Sequence, residues 1–458
     1  MKKRYAALLA AVLMTLSMFS ACGSSDKNEA ESGSEDAVST SINVIAPEGD
    51  VTTVPDGGEF NDPAASYTFA NGETNASGSE AGLSTETEAS VAATLPPNHQ
   101  DIVDMIQNAE TAVTTTKAPV MKDYNVDCTT RYGYNQLNDA EKKLYKQILE
   151  AAKSVEIRID VDDSVTNEMW VKVFGCMYLQ EPQLFWLSSQ RVTKGRLWYW
   201  EIDPELIASM QKEIDTAAAK VIGQAEGKST YEKLKIFHDY IALNNNFVKE
   251  QGFNQTIYGG LVSGEIQCEG YAKTMQYLCD LSGIESMIVV GTNESGDSHA
   301  WNVVKVDGKW YNLDTTWDDP ILTNVDKTNV RHRYFLVPDE WIHNKSHFNV
   351  NKKVTGTKVT YFNPPACTSE DMNYFKVEKK LYTDKASADA ALKEALKKAA
   401  DSKLRAAEIR VSSKAVYDEI TADLKGYATW IKSERSSVKS VSSNCDPNTL
   451  VIELDLVY

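Results

Sequence analysis

Residues 298–320 read SHAWNVVKVDGKWYNLDTTWDDP, and their pattern decides the fold. Apolar and polar residues alternate on both sides of Asp307-Gly308, and an Asp-Gly between two alternating runs is a strong signal for a two-residue hairpin turn. Such a turn sets the pairing: Val306 faces Lys309, Val304 faces Tyr311 and Trp301 faces Asp314. Side chains alternate across a sheet, so His299, Trp301 and Val303 share a face with Asn312, Asp314 and Thr316. His299 and Asp314 become diagonal neighbours, about 7–8 Å apart at the backbone, within reach of an imidazole–carboxylate hydrogen bond. A bulge would spoil this register.

Upstream, residues 264–275 read GEIQCEGYAKTM. Ala272, Met275, Leu278 and Cys279 recur at helical spacing, and Ser282-Gly283 stops the pattern. Cys268 therefore stands at or just before a helix N-terminus, where unpaired amides and the helix dipole favour a thiolate. Cys279 falls on the buried face and is expected to be inert. The roles then fit together. Cys268 attacks a carbonyl carbon, and His299 takes the thiol proton and returns a proton to the leaving group. Asp314 orients the imidazole, and the Cys268 N–H is a natural oxyanion donor. A second oxyanion donor is expected upstream, from Tyr258, Gln255 or Gln267. Trp301, Trp317, Tyr271 and Tyr258 are the aromatics for lining a substrate cleft, although large aromatics more often fill interiors.

CEGYA, HAWNVV and WYNLDTTWDDP, in that order and spacing, resemble the core of the transglutaminase-like superfamily, which is similar to the papain-like cysteine proteases. The resemblance covers roughly residues 229–350. It implies an α+β core with a helix-start cysteine packed on an antiparallel sheet, and the order Cys268, His299, Asp314 as the catalytic triad. Accessory modules often flank such cores in bacterial secreted or lipid-anchored proteins. Residues 333–348, RYFLVPDEWIHNKSHF, also resemble the segment C-terminal to the core in that family. His343 and His347 within them stand four apart, which without an acidic third residue points to structure rather than to metal.

Elsewhere the chain alternates between helical and extended patterns. Residues 138–153 carry a capping signal and helical spacing. Residues 155–161 alternate as a strand, 166–182 look helical, and 183–192 and 195–202 look like paired strands. Asp203-Pro204 opens a long helix closed near Gly227, and Ser229 opens another. His238 lies beside the apolar face of that second helix and reads as a packing histidine. After residue 355 the pattern is that of a small α+β module: strands over 372–384, a helix over 387–403, a strand over 406–413, a helix over 415–434 and a last strand over 449–458. Two accessory modules are thus expected, 121–228 and 355–458, around a catalytic domain over 229–350.

The N-terminus, MKKRYAALLAAVLMTLSMFSAC, has three basic residues, an apolar run and small residues before Cys22, the layout of a signal peptide. Phe19-Ser20-Ala21-Cys22 resembles a bacterial lipobox, which implies a signal peptide over 1–21, lipidation of Cys22 and a protein anchored on the extracellular face of the bacterial cell membrane. Residues 23–120 hold 17 acidic residues against two lysines, while all nine tryptophans lie beyond them. This acidic, Ser/Thr-rich stretch, with Cys22 at its head, is expected to be a disordered tether, with at most a transient helix over 95–110. The formal net charge of −18 thus sits mainly there, and nothing is basic enough for nucleic acid.

Seven cysteines at irregular spacing do not make a disulfide framework, although a Cys367–Cys445 bridge is conceivable. There is no CxxC pair and no HExxH, so neither zinc nor another cofactor is expected. The substrate expected is a peptide or protein outside the cell. Hydrolysis and amine transfer stay open, because the triad serves both. The alternative is a surface binding or scaffold protein that uses the same fold without catalysis.

Overall fold

The computed structural model describes residues 126–250, 252–319, 330–343, 345–348, 350 and 360–458. Cys22, the signal peptide, the acidic tether and the 95–110 segment lie outside the described residues. Among those described, no helix is long and apolar enough to cross a membrane.

Two short helical turns, Cys128–Thr130 and Tyr132–Asn135, precede α1 (Asp139–Lys153), which opens on a reciprocal capping box between Asn138 and Glu141. Helix α2 (Asn167–Gln180) is capped by Thr166. A hairpin of β1 (Leu187–Thr193) and β2 (Arg196–Tyr199) follows. The strand expected over 155–161 is reduced to a single bridge, Arg158 to Arg196. The chain turns at Val155, with φ +57°, and only Ile159 of the segment is buried, so little apolar surface holds it to β2. Helix α3 (Pro204–Ala225) is capped by Asp203, and α4 (Thr230–Asn244) opens on a capping box between Ser229 and Glu232.

A short parallel pair, β3 (Asn246–Phe247) and β4 (Glu265–Ile266), leads directly into α5 (Cys268–Leu281). Gly270 is required there: a Cβ would lie 2.3 Å from the carbonyl oxygen of Asn254, whose loop crosses the first turn of α5. Strands β5 (Ser286–Thr292), β6 (Ser298–Val306) and β7 (Lys309–Leu313) form an antiparallel sheet in that order. The β6–β7 turn has positive φ at both Asp307 (49°) and Gly308 (81°). The ladder runs Val306 to Lys309, Val304 to Tyr311 and Asn302 to Leu313, the register a two-residue turn imposes. The buried Asn302 amide donates to the Ala272 carbonyl at 2.9 Å, which pins α5 to β6.

Helical turns α6 (Thr315–Asp318), α7 (Asp339–Ile342) and α8 (Tyr374–Val377) follow. Strands were expected over 372–384. Instead, the Asn373 side chain caps α8 by accepting from the Phe375 N–H at 3.2 Å, and only β8 (Leu381–Tyr382) is extended. The chain continues through α9 (Lys385–Asp401), β9 (Ala406–Val411), α10 (Lys414–Thr421), α11 (Leu424–Glu434), β10 (Ser440–Ser443) and β11 (Val451–Val457). The single helix expected over 415–434 is broken between Thr421 and Leu424. The C-terminal sheet has the order β10-β11-β9-β8, with β8 parallel to β9.

Three apolar clusters fill the fold. One joins α1, α2 and β1 to Cys268, Ala272 and the inner residues of β5 and β6. A second joins α3, α4 and the other side of α5 to Val304, Tyr311 and Phe335, and takes in Tyr374, Phe375 and Val451. The third lies under the C-terminal sheet. Segment 128–225 therefore shares its core with α5 and the central sheet. All six described cysteines are free, Cys367 and Cys445 among them. Burial pushes the Cys279 thiol well up, which leaves it inert at neutral pH.

Candidate active site

Three elements deliver one side chain each. Cys268 is the first residue of α5, buried at 5% exposure, and its N-cap, Gln267, makes no side-chain cap. The first-turn N–H groups of a helix have no intrahelical partner, and Cys268 opens that turn. His299 is the second residue of β6, and Asp314 is the residue after β7 and the N-cap of α6. His299 Nε2 and Asp314 Oδ2 are 2.6 Å apart, and Cys268 is close enough to act electrostatically on the same imidazole.

Asp314 holds more than His299. Its Oδ1 accepts from the backbone N–H groups of Thr316 (2.9 Å) and Trp317 (3.2 Å). Its Oδ2 also lies 2.9 Å from His347 Nε2, while His347 Nδ1 lies 2.8 Å from Ser346 Oγ. Carboxylate oxygens accept, so His347 Nε2 carries its proton and the Ser346 hydroxyl donates to Nδ1, which fixes the tautomer. Trp317 stacks on His299 with ring centres 5.3 Å apart, and Trp301 and Trp317 each approach His347 at 4.6 Å. The carboxylate thus sits in a buried aromatic enclosure, where its hydrogen bonds are strong.

The charges are set by this packing. Burial disfavours the charged form of His299, but Asp314 and the Cys268 sulfur outweigh it and lift the imidazole to about 10. Burial would likewise raise Asp314, yet His299 and His347 together hold it well below the usual carboxylate range. His347 goes the other way. Its burial, with repulsion from His299 and His343, overcomes the Asp314 bond and takes it down to about 4. The packing therefore favours an imidazolium on the Asp314 carboxylate and a neutral His347 that donates to the same oxygen.

The other residues expected at the site are less uniformly gathered around it. Trp317 is half-buried against His299. Trp301 is buried at 1% exposure, with its indole N–H on Asn312 Oδ1 at 3.1 Å. Tyr271 is equally buried and its hydroxyl donates to Asp319. Tyr258 packs on Phe185 and Phe253 and donates to Glu213 at 2.8 Å. Among the expected oxyanion donors, the Gln267 amide is directed at the Lys249 carbonyl at 2.6 Å, and the buried Gln255 amide approaches Glu269 at 3.4 Å. His343 lies 3.4 Å from Asp339 and does not join the Asp314 set.

The part of His347 was not read from the sequence. The signal available was its pairing with His343, but the acidic partner lies 33 residues back on another element. The ring nitrogens and carboxylate of His299, Asp314 and His347 are close enough to hold a metal ion. An ion there would take His299 Nε2 away from Asp314 and with it the acid–base function.

A family model described as the transglutaminase-like superfamily matches residues 216–315. Human kyphoscoliosis peptidase is 28% identical over 98 residues, which is 19% of this chain and 15% of that protein, and the mouse protein matches to the same extent. The chain thus spans about a seventh of the length of these curated relatives. A crystal structure of a TGase overlaps 27% of this chain and 35% of its own at 20% identity, with a TM-score of 0.23. The periplasmic domain of TgpA from Pseudomonas aeruginosa overlaps 28% and 61% at 15% identity, with a TM-score of 0.19. Helix α5 on the β5–β6–β7 sheet is accordingly a transglutaminase-like fold of the α+β class.

Proposed function

We propose that the transglutaminase-like domain is a cysteine acyl-transfer enzyme acting on peptide or side-chain amides. The observation that carries this reading is the 2.6 Å His299–Asp314 pair, with Cys268 at the start of α5 and the imidazole raised to about 10 chiefly by Asp314 and further by Cys268. An imidazolium donating to Asp314 through Nε2 leaves Nδ1 to donate to the sulfur, the arrangement of a thiolate–imidazolium pair. Attack by the thiolate forms a thioester and breaks the amide C–N bond. His299 gives its proton to the departing amine, then takes one from the acceptor that resolves the thioester. First-turn N–H groups of α5, that of Cys268 first, face the developing oxyanion. Water is the acceptor we place first, as the nucleophile in greatest supply, which makes the enzyme a protease or amidase. An amine acceptor would make it a transglutaminase. Trp317, half-buried on His299, is the aromatic best placed to line the substrate cleft. We further propose that a lipid on Cys22 anchors the protein on the outer face of a bacterial membrane, from the order of basic, apolar and small residues before it.

The test is limited alkylation of the full chain from pH 4 to 9, with labelled cysteines located by peptide mapping. Selective labelling of Cys268 near pH 6, lost in His299→Ala, is the expected result. Acyl donors are then supplied with and without amines. Labelling of Cys268 no faster than an unfolded thiol would replace the enzyme by a binding or scaffold protein on the same fold.

A further inference from the structure

A second polar cluster, separate from the Cys268 site, is buried where α4 meets the C-terminal sheet. His238 Nδ1 and His332 Nε2 both face Asp239 Oδ1, at 3.1 and 3.0 Å. The three donor atoms of the set lie within 4.8 Å of one another. Zinc at about 2.0–2.1 Å from each ligand gives tetrahedral ligand–ligand edges of roughly 3.3 Å, so the two nitrogen–oxygen edges need to open by only a few tenths of an ångström, while the nitrogen–nitrogen edge, within 4.8 Å, settles to the same value.

The outer contacts are those of a metal centre. Metal-bound histidines almost always give their second N–H to a carboxylate, a carbonyl or water. Here His238 Nε2 faces Asp318 Oδ2 at 3.2 Å and His332 Nδ1 faces Glu408 Oε1 at 3.0 Å. The other oxygen of Asp239 is held by Lys235 at 2.6 Å, which leaves one oxygen for an ion. The His332 ring is fixed flat against Tyr374, with centres 3.8 Å apart.

We propose that His238, Asp239 and His332 bind a divalent transition metal, Zn²⁺ by preference. A buried set of two imidazoles and one carboxylate suits that ion, and water would fill the fourth place. The zinc motifs absent from the sequence are short-range ones. These ligands stand 93 residues apart, and Glu408 comes from a third segment. Binding exchanges two N–H protons for two N–metal bonds with no change of oxidation state. It ties α4, the 330–337 segment and, through Glu408, strand β9.

The test uses the full chain, stripped by chelator and titrated with ZnCl₂ in calorimetry at pH 7 in buffers of different ionisation enthalpy. One Zn²⁺ per chain, micromolar or tighter, with release of up to two protons and a rise in Tm, is expected. His332→Gln and Asp239→Asn weaken binding at least a hundredfold, while His347→Gln, which perturbs the other histidine–carboxylate cluster, leaves one site. Co²⁺ gives visible ligand-field bands without sulfur charge transfer. Absence of stoichiometric binding by the wild-type chain overturns the proposal and leaves a proton-bridged network. So does binding that survives both variants, or a sulfur–cobalt band, which places the ion on a cysteine.

Discussion

Asp314 is asked to do two things with one carboxylate. One oxygen closes the first turn of α6 and the other holds both His299 and His347. Asp314→Asn keeps the shape but turns an acceptor into a donor that faces two N–H groups. The expected loss in kcat/KM is about 10²–10⁴-fold, by analogy with other acid–histidine pairs. His347→Ala removes one bond to a buried charge, worth about 1.5–3 kcal/mol, so alkylation of Cys268 should slow by roughly ten- to a hundredfold. His347→Gln, which can still donate, should restore part of that rate. A loss equal in both variants, or a pH profile left unchanged by His347→Ala, would rule out positioning by His347. The sequence made the Cys268, His299 and Asp314 geometry legible because a local turn fixes two of the three. His347 was hidden because its partner is set by a tertiary contact, as were the roles of Asp318 and Asp319 in the same WDDP stretch.

At the scale of elements, the β6–β7 turn and the first turn of α5 carry the geometry. Gly308→Ala puts a side chain at φ +81° and should lower stability by about 1 kcal/mol while leaving the register intact. Inserting one residue between Asp307 and Gly308 is different. A shift of one residue in pairing turns every side chain to the other face, so alkylation selectivity for Cys268 should vanish even where circular dichroism shows a folded chain. Gly270→Ala must move the Asn254 loop and should cost about 1–3 kcal/mol, read as a lower midpoint in urea. Helices with a capping box or capping proline (α1, α3, α4) were legible from single residues. The strands expected at 155–161 and 372–384 were not. Alternation alone did not reveal that Val155 turns left-handed or that Asn373 caps a helical turn.

The whole molecule is held by charge as well as by apolar clusters. Arg333 reaches Glu453 at 3.3 Å, and Arg331 pairs with Glu453 and, at 3.0 Å, Asp455, so the C-terminal sheet docks through buried ions. Tyr374, Phe375 and Val451 also complete the second apolar cluster. Deleting residues 372–458 should therefore unfold or aggregate the rest rather than release a stable core, as limited proteolysis and solubility will report. Stability should also vary with pH along two opposed slopes. His299 is raised to about 10, so its contribution is full below the unfolded value near 6.5 and declines as pH rises through its folded value. His347, depressed to about 4, acts oppositely, and stability falls as pH drops from about 6.5 to 4. Urea midpoints against pH should lose the alkaline slope in part with His299→Ala and the acidic slope with His347→Ala.

The enclosure around Asp314 has one more consequence. The carboxylate is 1% exposed and takes hydrogen bonds on both oxygens, so it is withdrawn from the surrounding salt. Screening acts on charges in contact with solvent, with a Debye length of about 8 Å at 0.15 M salt. The chemical step should then run at nearly the same rate in fresh water and in brine, while the 17 acidic residues against two lysines over 23–120 make any capture of a basic substrate fall off with ionic strength.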